Sequence, residues 1–157
     1  MAQSISRQYI HLVFSTWKRA EMIDPLWERE LHNYMGAILH EYQSHAIAIN
    51  SVPDHIHILF LLSKNHALAS VVQKLKQNSS IWIGKSKGLH GFKWQKGYGA
   101  FSVSQSKLET VKRYIHRQKE HHNKVSLEAE ISKLCLAYQA PNFNPDYYWR
   151  DDQPKLG

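Results

Sequence analysis

Short apolar runs with the length and spacing of β-strands alternate along the chain with longer segments whose apolar residues recur at helical intervals. Gln8 to Thr16 reads as a first strand. Pro25 to Tyr42 reads as a helix, with Asp24 as its N-cap and Pro25 in its first position. Ala46 to Val52 and His55 to Leu62 are two strands whose tight Pro53-Asp54 connection predicts an antiparallel hairpin. Leu68, Val71, Val72, Leu75 and Trp82 form the apolar stripe of a second helix over Ala67 to Ile83. A basic loop, Gly84 to Gly97, leads to a fourth strand at Tyr98 to Ser104, and a further helix follows. This order predicts an α+β, ferredoxin-like (RRM-like) fold: an antiparallel sheet of about four strands with helices packed on one face. The whole chain, 1–157, reads as a single domain, with 136–157 a tail of unassigned role.

The strand His55-Ile56-His57-Ile58-Leu59-Phe60-Leu61-Leu62 breaks an apolar pattern in an informative way. Side chains alternate across a strand, so Ile56, Ile58, Phe60 and Leu62 share a core face and both imidazoles point to the other. Two imidazoles on a rigid element suit a metal ion, since the spacing exists before the metal arrives. Asp54 precedes this pair: within the strand its side chain would point away from His55, but its place after Pro53 suits a turn carboxylate better.

Downstream, Leu108 to His122 contains no Pro or Gly and ends in a basic, histidine-rich turn suited to a helix C-terminus. Leu108, Val111 and Ile115 form its apolar stripe. Tyr114 and Gln118 are stacked on a neighbouring flank, with His121 and His122 one turn beyond. A phenol and an amide there can supply a nucleophile and a third metal ligand.

VPDHIHILF, a basic helix, WQKGYGAFSVS and YIHRQKEHH stand in this order from about Tyr9 to about Glu130. The ordered set resembles the single-strand DNA transposases of the IS-two-hundred/six-oh-five family, the HUH class with one catalytic tyrosine. Carried over by position, the resemblance implies that His55 and His57 bind metal, that Gln118 is the third ligand and that Tyr114 is the nucleophile. It implies metal-dependent cleavage and rejoining of single-stranded DNA through a 5′-phosphotyrosine. It also implies hairpin recognition at the ends of an insertion sequence, and a homodimer in which the tyrosine helix of one subunit meets the histidine pair of the other. Magnesium is the expected ion and manganese a substitute, because nitrogen ligands favour the latter while magnesium is more available. His121, His122 and metal-bound water are candidates for accepting the Tyr114 proton. Two other readings share these residues: a domesticated nickase that processes host repeat hairpins, and a non-catalytic nucleic-acid-binding module.

Charge fits a polyanionic partner. Twenty Lys and Arg against thirteen Asp and Glu give +7, with a pI near 9.5. Lys74 and Lys76 on the second helix, and Lys85, Lys87, Lys93 and Lys96 after it, are the expected contacts to the DNA backbone; Trp94 could stack on a base, but a Trp bordering a strand is more often core. No apolar run approaches the roughly 18 residues of a membrane span, and the N-terminus lacks a signal-peptide apolar core, so a cytoplasmic, nucleoid-associated location is expected. The single cysteine, Cys135, excludes an internal disulfide and lies between Leu134 and Leu136, where burial is expected.

Overall fold

The structure is a computed structural model that describes residues 2–122, 124–140 and 143–149, without the side chains of residues 146 and 147. Strands β1 (Gln8–Ser15), β2 (His45–Val52), β3 (His55–Leu62) and β4 (Gly99–Val103) form one antiparallel sheet in the order β2-β3-β1-β4. The strand carrying the histidine pair is therefore central, where neighbours on both sides fix its register. Val13 of β1 and Asn50 of β2 lie opposite His57, and Ser15 and Val52 lie opposite His55.

Helices α1 (Glu28–Glu41) and α2 (Leu68–Lys87) cover one face of the sheet. Leu12, Phe14, Ile56, Ile58 and Phe60 project into that layer against Leu31, Met35, Val71, Val72 and Leu75, as the alternation in β3 predicts. Helix α1 begins later than its sequence suggests. The Asp24 carboxylate accepts a hydrogen bond from Leu26 N and its carbonyl one from Trp27 N, so Asp24 closes a turn and the helix starts at Glu28. Helix α2 runs four residues past Ile83 into the expected loop and stops at Gly88, whose φ of 70° provides the left-handed C-terminal turn.

The opposite face is also covered. Leu108, Val111 and Ile115 of α3 (Leu108–His116) pack on Tyr9, Leu59 and Val103, while Leu127 and Ile131 of α5 (Leu127–Ala137) pack on Val13 and Phe101. Between them lies the single turn α4 (Gln118–His121), and α6 (Pro145–Tyr148) follows α5. The tail contributes to this layer through Trp149, which is buried and lies under the Arg19 guanidinium, and residues 150–157 fall outside the described part. The sheet is a centre layer because both sides of β3 and β1 are apolar except at the histidines and Ser15.

One smaller expectation changes. Cys135 is half-buried rather than buried, since α5 turns Leu136 outward at 81% exposure. Trp94 is core, the favoured of its two readings: its ring meets Phe14 and Phe92 edge-on and its indole N–H donates to Ser79 Oγ. Among the described residues no helix is long and apolar enough to cross a membrane. Phe60 is fully buried on the α1/α2 side. Phe60→Ala is expected to cost about 3–5 kcal/mol in urea denaturation.

Candidate metal and nucleophile site

Tyr114 reaches the histidines because α3 is tied down at two points. Its apolar stripe seats it on the sheet, and Asn50 Nδ2 donates to the Ile115 and His116 carbonyls at 2.9 and 3.2 Å, capping its end. The expected continuous helix breaks there. Arg117 (φ −95°, ψ 13°) leaves helical geometry, and α4 restarts at Gln118. The break carries His121 and His122 towards β3.

Four groups converge in the resulting pocket. Ligand atoms of His55, His57, His122 and Glu130 all lie within 4.8 Å of one another. His55 Nε2 is 3.0 Å from His122 Nε2, and His57 Nε2 is 2.8 Å from Glu130 Oε1. The other ring nitrogens are held from behind. His55 Nδ1 lies 2.7 Å from Asp54 Oδ1, and His57 Nδ1 lies 2.8 Å from His11 Nε2. Asp54 is in the turn, as expected, where its carbonyl accepts from Thr16 N and its carboxylate reaches His55. A turn residue is free of the strand's strict alternation, which lets the carboxylate fold back.

Glu130 is the hub. Its Oε2 accepts hydrogen bonds from Tyr114 O–H and from His122 Nε2 at 3.0 Å, and His121 Nε2 stands 2.9 Å away outside hydrogen-bonding alignment. Burial by itself pushes the Glu130 carboxyl up, but hydrogen bonds from His122 and His57 outweigh it and hold the group below the usual carboxylate range. Tyr114 is pushed up, first by burial and then by its bond to Glu130, so the phenol keeps its proton in this arrangement. Burial lowers His57 to about 4 and His11 to about 3, leaving both imidazoles neutral at physiological pH.

Neutral imidazoles and a buried carboxylate are a suitable donor set for a divalent cation. Gln118 supports the same reading. It is fully buried, its Oε1 has no hydrogen-bond partner, and its amide lies against Tyr114, acting on the phenol and making a long 3.4 Å contact from Nε2 to the Tyr114 carbonyl. An orphaned acceptor in a closed site is a group that a cation would satisfy.

His11 and Glu130 went unread in the sequence, though each left a signal. His11 is the polar residue inside the apolar run of β1, and Glu130 falls on the Leu127, Ile131 and Leu134 face of its helix. The structure does not bring the expected lysines to Tyr114. Lys74, Lys76, Lys85 and Lys87 belong to α2 on the opposite face of the sheet. Lys76 Nζ donates to the Gln95 and Gly97 carbonyls at 2.8 and 2.7 Å and so ties down the following loop, and Lys87 pairs with Glu30. Lys85, Lys93 and Lys96 are exposed. The cations beside Tyr114 are others: Arg113, Arg117 and Lys124 border a groove of about 570 Å³ that includes its side chain.

Residues 4–118 match the family described as Transposase IS200 like. The chain belongs to that family. It is thus an IS200/IS605-type transposase. No curated protein matches the chain. Among solved structures, a protein of Deinococcus radiodurans R1 assigned as a transposase shares 20% identity with a TM-score of 0.59, over 75% of this chain and 98% of that one. A REP-associated tyrosine transposase bound to a REP hairpin shares 14% identity with a TM-score of 0.60, over 80% of this chain and 76% of that one. At such identities these two likenesses bear on the fold of the transposase. The family match ends at Gln118, so His121, His122 and Glu130 lie beyond it.

Neutral His11 and His57 give the metal-free transposase a signed pH response. Unfolding restores each imidazole to its ordinary value near 6.5, so the unfolded chain binds more protons below that pH. Stability is expected to be full above about pH 6.5 and to fall on acidification towards pH 4, by at most about 1.4 kcal/mol per pH unit for each histidine. Urea midpoints at pH 7, 5.5 and 4.5 measure this. A flat profile would mean that both imidazoles take up protons in the folded protein as they do in the unfolded chain.

Proposed function

We propose that this transposase cleaves and rejoins single-stranded DNA by metal-dependent transesterification, with Tyr114 as the nucleophile. One observation carries the reading: the Tyr114 hydroxyl and the His55/His57 pair enter the same buried cluster through their common partner Glu130. A binding module has no use for a phenol held among imidazoles, and this distinguishes the enzyme from the non-catalytic reading.

In the reaction, the Tyr114 O–H proton is given up and the phenolic oxygen forms a bond to the scissile phosphorus. The bond from phosphorus to the 3′-oxygen breaks, leaving a 5′-phosphotyrosine and, after protonation from solvent, a 3′-hydroxyl. Reversal with another 3′-hydroxyl rejoins strands, and because one ester replaces another no ATP is consumed. His55, His57 and Gln118 would hold a divalent ion, magnesium with manganese as substitute, whose charge offsets that of the phosphate. His11 and Asp54 orient the two imidazoles from behind.

Hairpin DNA is the proposed substrate, a reading supported by the family and by the neighbour bound to a REP hairpin. Arg113, Arg117 and Lys124 would carry the unpaired strand past Tyr114, and the exposed Lys85, Lys93 and Lys96 would meet the DNA further away. Tyr114 meets the histidines of its own chain, which supports a site built in cis over one shared across a homodimer.

The protein incubated with manganese and labelled single-stranded DNA from its own locus is expected to form a denaturation-resistant adduct at Tyr114, and duplex DNA is not. Tyr114→Phe should abolish it; an adduct persisting in that variant would remove Tyr114 from the reaction. Mixing Tyr114→Phe with His55→Ala protein tests the cis arrangement, and recovery of cleavage in the mixture would restore the composite dimer.

Substituting Arg113 and Arg117 together by Ala should weaken single-strand binding and lower the slope of log affinity against log salt by roughly 1–2. Lys76→Ala, which removes a loop tie, should leave that slope unchanged in a fluorescence-anisotropy titration.

A further inference from the structure

We propose that Glu130 is a ligand of the same metal ion, contributed by a helix outside the family-matched segment. The inference rests on the metal-dependent reading of the site. Glu130 is 2% exposed, and no apolar environment accepts an ionised carboxylate without close partners. Its partners here are the nitrogens that face the pocket. Oε1 lies 2.8 Å from His57 Nε2 and 3.8 Å from His55 Nε2, and Oε2 lies 3.0 Å from His122 Nε2. Donors bonded to one ion at about 2.1 Å lie roughly 3–4 Å from each other, so these separations need little adjustment around a shared cation. His55, with Nδ1 directed at Asp54, turns its other nitrogen inward, as a ligand imidazole does.

The carboxylate adds what Gln118 cannot. It is anionic, it lowers the charge of a loaded site by one, and it is a hard oxygen donor suited to magnesium or manganese. It also links loading to the nucleophile. In the metal-free arrangement Glu130 Oε2 accepts the Tyr114 hydroxyl proton in a hydrogen bond. A cation that takes this carboxylate withdraws that acceptor, and the phenol becomes free to meet a phosphate. Helix α5, held to the sheet by Leu127 and Ile131, thus belongs to the active site.

The test is manganese binding by the full chain, followed by electron paramagnetic resonance and calorimetry, with circular dichroism as the check on folding. Wild-type protein should bind manganese and His55→Ala should lose it. Failure of the wild type to bind would overturn the metal-dependent reading as a whole. Given wild-type binding, Glu130→Gln is expected to weaken affinity by at least tenfold, since even groups behind a ligand are worth roughly 10–100-fold. A folded Glu130→Gln protein with wild-type affinity would overturn the proposal and leave the rest of the site standing. If Glu130→Gln does not fold, Glu130→Asp decides. That variant keeps the charge but retracts it by one methylene, so a ligand role predicts weakened binding, and affinity within twofold of wild type would reduce Glu130 to a buried counter-charge.

Discussion

A carboxylate held at the centre of a group of imidazoles organises the side of the sheet where the chemistry resides. Glu130 accepts from His57, His122 and Tyr114, which sit on β3, just after α4, and on α3. Four segments, of which only β3 is distant in sequence, are therefore joined through one side chain. Removing an ion from water is costly, and that cost is offset only when its lone pairs are met by well-placed donors. The requirement makes the positions of these elements mutually dependent. A shift of α5 would leave a buried anion unsatisfied, and a shift of α3 would withdraw one of its donors.

The two faces of the sheet divide the work. The α1/α2 face is continuously apolar, from Leu12 and Phe14 through Ile56, Ile58 and Phe60, and its burial provides the bulk of the cohesion. The α3/α5 face buries less apolar surface and includes His11, His55 and His57, which are almost fully buried yet polar. Such groups are tolerated because His11 Nε2 and both ring nitrogens of His55 and of His57 have partners, and the same partners set tautomer and direction. Placing the imidazoles on a central strand removes any freedom to drift. The tyrosine, by contrast, arrives on a helix that ends two residues later at His116 and is fastened by Asn50 from β2. The rigid component holds the histidine pair and the more separable one holds Tyr114.

Positive charge is distributed unevenly with respect to this site. Cations on α2 are on the far side of the sheet, and Lys76 and Lys87 are engaged with carbonyls and with Glu30. Arg113, Arg117 and Lys124 instead flank the tyrosine. A net charge of +7 attracts a polyanion to the whole molecule, but only charges bordering the nucleophile can register a particular phosphate against it.

The β3 pattern was legible in sequence because strand alternation is a local rule: once His55 and His57 stand two apart among Ile and Leu, their common face follows from covalent geometry. The same holds for the helical stripes and for the spacing of Tyr114 and Gln118, and together these residues carried the family resemblance. The break at Arg117, the return of Asp54 onto His55 and the entry of His11 and Glu130 were not legible as site features. Each depends on what lies across the sheet, and a polar residue in an apolar run signals only that something must satisfy it. The sequence alone determined the order of the main elements, the shared face of the histidine pair and the stacking of Tyr114 with Gln118. Tertiary packing decided which partners meet them, because satisfying a buried charge is a property of converging segments, and no local pattern encodes where those segments cross.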